Sequence, residues 1–180
     1  DIAEIFDAVG GQLNAYTSME LTVYYAKLLK ENAGLAVDVL ADIMQNSIFA
    51  EAELAREKEV IIQEIAMFQD TPDELVVDHF DAMAFAGQPL GRPILGTKEK
   101  VAAYSRADLQ AYMAKHYRPQ RMVVTAAGNI HHEDFVAMVK RFFHMEKVED
   151  GERFKIAEYI SGENCVTADF EQLHMIIGLP

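Results

Sequence analysis

The 180-residue sequence predicts an α+β fold, with a mainly antiparallel sheet packed against helices. Three observations carry that expectation. A run near the start alternates at period two and is rich in β-branched and aromatic side chains. Several stretches repeat apolar residues at helical spacing. Helices and strands mix without the strict alternation that builds a parallel sheet.

Asp1 to Val9 is amphipathic, with Ile2, Ile5, Phe6 and Val9 on one face, and Gly10-Gly11 stops it. In Gln12 to Leu29 the period-two positions Leu13, Ala15, Thr17, Met19, Leu21, Val23 and Tyr25 predict a hairpin that turns near Ser18-Met19-Glu20. Glu31 to Asn46 is helical by pattern, and a longer helix runs from about Glu51 to Gln69. Pro72 separates it from a helix over Asp73 to Phe85, and Gly87 to Pro93 is a loop. Ser105-Arg-Ala-Asp108 is a helix start, because Ser caps backbone amides and Asp favours the positive helix end. That helix stops near His116, before Pro119. Arg121 to Ala127 is expected to be a strand, Glu133 to Phe143 a helix, Lys147 to Glu163 irregular, and Leu173 to Leu179 a buried strand. No internal repeat or low-complexity linker is present, so residues 1–180 are expected to form a single, incomplete domain. Residue 1 is Asp and the first residues read as mid-helix, so the domain is expected to be truncated at both ends.

With 16 basic against 29 acidic residues, the net charge is −13. Phosphate binding needs concentrated Lys and Arg, so neither nucleic acid nor an anionic membrane surface is an expected partner. No apolar run approaches the roughly 18–20 residues of a membrane span. The single cysteine, Cys165, is read as a buried or inert thiol.

The helix over Glu51 to Gln69 carries the most informative pattern. On a wheel of about 100° per residue, Ile61, Ile65 and Phe68 fall within about 40° of Leu54. Glu57 and Glu64 fall beside them, whereas Arg56, Glu59 and Gln63 face away. Carboxylates turned toward a core are costly unless paired, hydrogen-bonded or bound to a metal. The alternative places one or both at the edge of the apolar face, reaching water or a basic partner. Seven residues separate the two by about 10 Å along the axis, so they are poorly placed to ligate one metal equally. One would bind directly and the other would support it.

Several motifs, in order along nearly the whole chain, resemble one peptidase family. They are Val9-Gly-Gly-Gln-Leu-Asn-Ala-Tyr-Thr-Ser-Met-Glu-Leu-Thr-Val-Tyr24, Arg56-Glu-Lys-Glu-Val-Ile-Ile-Gln-Glu64, Pro89-Leu-Gly-Arg-Pro-Ile-Leu-Gly96, and Tyr117-Arg-Pro followed by Arg121-Met-Val-Val and Ala127-Gly-Asn129. The family is that of the inverted-motif zinc peptidases, peptidase family M16, which includes insulinase and the mitochondrial and bacterial processing proteases. The resemblance implies the amino-terminal domain of a zinc metalloendopeptidase. It assigns Glu64 as the distal zinc ligand and Glu57 as a supporting carboxylate. It assigns Asn14, Ala15 and Tyr16 to an edge strand that pairs with an extended peptide substrate. The family's His-x-x-Glu-His is not present, and its spacing would set two zinc-binding histidines upstream of Asp1. The chain alone is therefore expected neither to hold Zn2+ tightly nor to cleave peptides.

The resemblance further implies peptide substrates and a homodimer, or a heterodimer with a homologous subunit. Its compartment is the bacterial cytoplasm, with periplasm and mitochondrial matrix as alternatives. Two rival readings stand beside it: a non-catalytic homologue that holds substrate for an active subunit, and an acidic α+β interaction domain. His131-His132-Glu133 reads as a surface loop and helix start, because adjacent side chains diverge. His79 faces either core or cleft. His116, His144 and His174 have no partner at ligand spacing.

Overall fold

The computed structural model describes residues 2–146 and 155–180. Seven α-helices and one two-stranded antiparallel sheet are formed among them. The chain divides into two compact units. The first comprises Asp1–Phe49 with Ala107–Gly151, the second Ala50–Arg106 with Glu152–Pro180.

In the first unit, α1 (Ile2–Asp7) buries Phe6 to 2% exposure. It ends because Gly10 adopts φ +63°, a left-handed conformation that costs glycine little. The Gly11 N–H then reaches back to the Phe6 carbonyl at 2.9 Å. β1 (Gln12–Thr17) pairs with β2 (Thr22–Lys27) in register Gln12↔Lys27 through Thr17↔Thr22. Ser18 closes the turn. Its N–H donates to the Leu21 carbonyl at 2.8 Å, and its Oγ accepts from the Leu21 N–H at 3.2 Å. After a 3-10 turn at Lys30–Asn32, α2 (Ala33–Asn46) buries Val37, Val39 and Ala41 and packs on β2 and on α7 (His132–Phe142). Gln45 fastens α2 to the end of α7. Its Nε2 donates to the carbonyls of Ala41 and Phe142, and its Oε1 accepts from the His144 N–H at 2.7 Å. Carbonyls and amides that a helix end would leave orphaned are thus satisfied by one side chain.

In the second unit, α3 (Glu51–Gln69) packs against α4 (Pro72–Ala84) and α5 (Lys98–Ala103), around Ile65, Ala84 and Val101. Pro72 opens α4, where its missing N–H costs nothing. Gly91 sits so close to the end of α4 that a Cβ there would lie 2.5 Å from the Phe85 carbonyl oxygen. The extended segment near Glu158 docks on this corner. Gln88 Nε2 donates to the Glu158 carbonyl and Gln88 Oε1 accepts from the Glu158 N–H, both at 2.7 Å. The Ile160 N–H donates to the Ala84 carbonyl, and Tyr159 stacks edge-on against Phe85. The helix α6 (Arg106–His116) follows α5 in the chain and from Ala107 onward belongs to the first unit.

The hairpin and the helices over 31–46, 51–69, 73–85 and 133–143 form as expected, within a residue or two at their ends. Two expectations are corrected. Arg121 closes a 3-10 turn (Pro119–Arg121), and residues 122–127 join no ladder among the described residues. Residues 173–179 likewise join no ladder and are not buried, with Leu173 at 91% and Leu179 at 88% exposure. A strand is a property of pairing, and neither run has a partner strand among the described residues. Cys165, read as a buried or inert thiol, is exposed. The short α5 was not foreseen; Thr97 caps it by accepting from the Lys100 N–H, and Lys58 Nζ donates to its Ala102 carbonyl at 3.0 Å. The irregular run expected from Lys147 falls outside the described residues as far as residue 154; from 155 to 163 it is irregular.

Candidate functional site

The two carboxylates predicted on the long helix both lie on α3. Ile65 is buried at 6% exposure, and Leu54, Ile61 and Phe68 are half-buried. Glu57 and Glu64, which the wheel sets beside these residues, are exposed. They therefore occupy the margin of the apolar stripe, where a carboxylate keeps its hydration. Neither carboxylate has a hydrogen-bond or ion-pair partner among the described residues. The ion pair on the same helix, Arg56 to Glu53 at 2.8 Å, is exposed to solvent and leaves both carboxylates unpaired.

Glu64 stands on the wall of an open concavity of about 360 Å³, shared with Met67, Phe68, Thr71, Glu74 and Leu95. Three elements build it. α3 supplies Glu64 to Phe68, the α3–α4 corner supplies Thr71 and Glu74, and the loop before α5 returns Leu95. Its lining is three apolar side chains, one threonine and two carboxylates. The sequence pointed to Glu64 but not to Glu74 or Leu95. Helical spacing reports only residues on one helix, and Leu95 arrives by a loop whose path no periodicity encodes. Glu57 is two turns earlier on α3 and does not line the concavity.

Asn14, Ala15 and Tyr16 lie together on β1, in the first unit, and all are exposed. They pair with Tyr25, Tyr24 and Val23 of β2. Among the described residues β1 has no second neighbour, so its outer edge offers unpaired backbone groups. The Asn14 Oδ1 accepts from the Ala15 N–H at 2.8 Å, and Tyr16 meets Tyr25 edge-on with centroids 6.3 Å apart. Sequence reasoning missed the residue that holds this hairpin from behind. The hydroxyls of Tyr24 and Tyr117 share a hydrogen bond of 3.0 Å. Burial first, and that bond second, push the Tyr117 phenol well above its usual range, so it stays protonated.

His131 and His132 sit exposed at the start of α7, as expected for a loop and helix start, and His79 is half-buried on α4. Among the described residues no three His, Cys, Asp or Glu side chains converge to hold a metal ion. Glu64 is an exposed carboxylate of the kind zinc accepts, yet one oxygen donor does not make a zinc site.

Comparison with known proteins resolves the kinship. Residues 1–98 match the family model of insulinase, peptidase family M16, and residues 103–178 match that of the peptidase M16 inactive domain. The chain is 42% identical over 177 residues to a Rickettsia felis protein named as an uncharacterized zinc protease, covering 98% of this chain and 43% of that protein. It is 49% identical over 142 residues to the Arabidopsis thaliana "Probable mitochondrial-processing peptidase subunit beta", covering 79% of this chain and 27% of the relative. In fold it matches the crystal structure of a Helicobacter pylori protease with a TM-score of 0.78, at 19% identity, over 88% of this chain and 39% of that one. The chain thus spans less than half the length of these relatives. With the model for insulinase matching more than half its residues, this chain belongs to peptidase family M16.

Proposed function

We propose that this chain serves a zinc-dependent metalloendopeptidase, with Glu64 as the distal zinc ligand. The observation that carries the reading is the exposed, unpartnered Glu64 on the wall of the concavity, in a chain of this family. The printed names of the Rickettsia felis and Arabidopsis thaliana relatives support zinc and peptide hydrolysis respectively. Bound zinc polarises a scissile carbonyl and lowers the pKa of its water. The described residues supply one ligand of such a site, and the resemblance assigns the other two to histidines of a His-x-x-Glu-His upstream of Asp1. Glu57 is about 10 Å along the helix from Glu64, too far to share the ion, and would support the site through a neighbouring group. β1 would take an extended peptide as an added strand, its backbone giving affinity without demanding one sequence. Residues 1–180 would then be a single, incomplete amino-terminal-type domain, working with a homologous subunit as the Arabidopsis thaliana relative's name suggests. The proposed compartment is the bacterial cytoplasm; the Rickettsia felis relative supports the bacterial part of that proposal alone.

The test uses the full-length protein and its Glu64→Gln variant. Zinc content by elemental analysis and cleavage of a mixture of synthetic peptides are both read. Wild type should hold about one zinc per chain and lose activity to a chelator. Glu64→Gln should lose both zinc and cleavage by at least the roughly 10- to 100-fold that losing a ligand's supporting partner costs. The match of residues 103–178 to the inactive domain supports a second reading, a non-catalytic subunit that holds substrate. That reading expects full-length protein that binds peptides without zinc and cleaves none.

A further inference from the structure

The hairpin β1–β2 packs on α2 and is fastened in addition by the side chain of Tyr117. In an antiparallel pair, directly opposed residues share a face. Ala15 and Thr17 therefore share a face with their partners Tyr24 and Thr22, and Tyr16 between them points the other way, with Val23 and Tyr25. The Tyr117 hydroxyl meets that of Tyr24 at 3.0 Å. It thus grips the cross-strand partner of Ala15, the residue that precedes Tyr16. Tyr117 is itself well fixed. Its N–H donates to the Met113 carbonyl at 2.8 Å at the end of α6, and its ring meets those of Tyr24 and Tyr112 edge-on at 6.3 and 6.4 Å. The hydroxyl is half-buried and stays protonated, so the grip persists across the ordinary pH range.

We infer that Tyr117 is a positioning residue that sets the register of the peptide laid along β1. The inference rests on the proposed peptidase reading. A strand added to an edge can slip by two residues without turning its side chains over, so register must come from the placement of the edge itself. A hairpin joined only by its own ladder can shift against the rest of its unit. The hydrogen bond to Tyr24 fixes it at one height relative to the end of α6. Tyr117 never touches the peptide in this scheme; it acts through β2.

The experiment compares full-length wild type with Tyr117→Phe and Tyr24→Phe, and with the double variant. Phenylalanine keeps the ring contacts, so folding is preserved, and thermal unfolding confirms it. Synthetic peptides of defined sequence are digested, the cut bonds are mapped by mass spectrometry, and KM and kcat are measured separately. Each single variant should cut at additional bonds displaced from the wild-type site. KM should rise roughly two- to tenfold, the range for one lost neutral hydrogen bond, with a smaller change in kcat. The double variant should add little to either single one, because both remove the same bond. Single variants that cut only the wild-type bond with unchanged KM overturn the positioning role and leave the peptidase reading intact. Wild type that binds zinc but cuts no peptide overturns both.

Discussion

Asp78, on α4, illustrates how far a single carboxyl can be read. Burial, and then the charge of Asp81, raise its pKa, while His79 opposes them. The sign follows from proton binding. Between the ordinary carboxyl pKa and the raised one, the folded state holds the proton more often than the unfolded state. Stability therefore falls as pH rises through that window and stays lower above it. Asp78→Asn removes the cost, so it should unfold at higher urea than wild type at neutral pH, with the gain vanishing below the ordinary carboxyl range. Equal midpoints at both pH values would contradict the argument. Glu57 and Glu64 teach a related lesson. Their place beside the apolar stripe was legible from the 100° step, but their exposure was not, because a wheel does not say where the neighbouring helices end. The Tyr24–Tyr117 pair was invisible for a different reason, since 93 residues lie between its members.

Among elements, those with a strong local period were the legible ones. α3 carries its apolar stripe over nineteen residues, and its bounds agree with the pattern. The turn at Ser18 could be found because Ser18 and Glu20 bring polar, turn-favouring chemistry to the middle of a run too long for one strand. α5 is only six residues long, too short for a period, and its sequence signal was the Thr97 cap alone. Residues 122–127 and 173–179 have strand composition without strand pairing, and composition cannot supply the partner. Elements also depend on single fasteners. Gln45→Leu would keep the volume but lose the two backbone hydrogen bonds that join α2 to the end of α7, and one within α2. The expected loss is about 1–3 kcal/mol in urea unfolding, with earlier hydrogen exchange at His144 than at the middle of α2.

For the molecule as a whole, two opposing features govern its behaviour in solution. The net charge of −13 keeps copies apart. Against it stands the run 173–179, where Leu173, Met175, Ile177 and Leu179 are 91, 72, 79 and 88% exposed at alternate positions. Such a row on an unpaired extended segment is a template for edge-to-edge association. Salt screens the repulsion, with a Debye length of about 10 Å at 0.1 M, and leaves the apolar attraction in place. Residues 1–180 by themselves should therefore self-associate more as salt rises, as read by light scattering. Ile177→Lys should suppress the effect. Association that weakens with salt would point to ion pairs instead.

The Gln88 clamp has a consequence for chemical ageing. Its amide serves Glu158 as donor and acceptor at once, so hydrolysis to glutamate would remove the donor and set a carboxylate against a carbonyl. The common route to that damage closes a ring on the backbone N–H of the following residue. Residue 89 is proline, which has no N–H to close it. The corner that holds the extended segment to α4 is thus built from an amide whose neighbour protects it, and it should keep its grip over long storage.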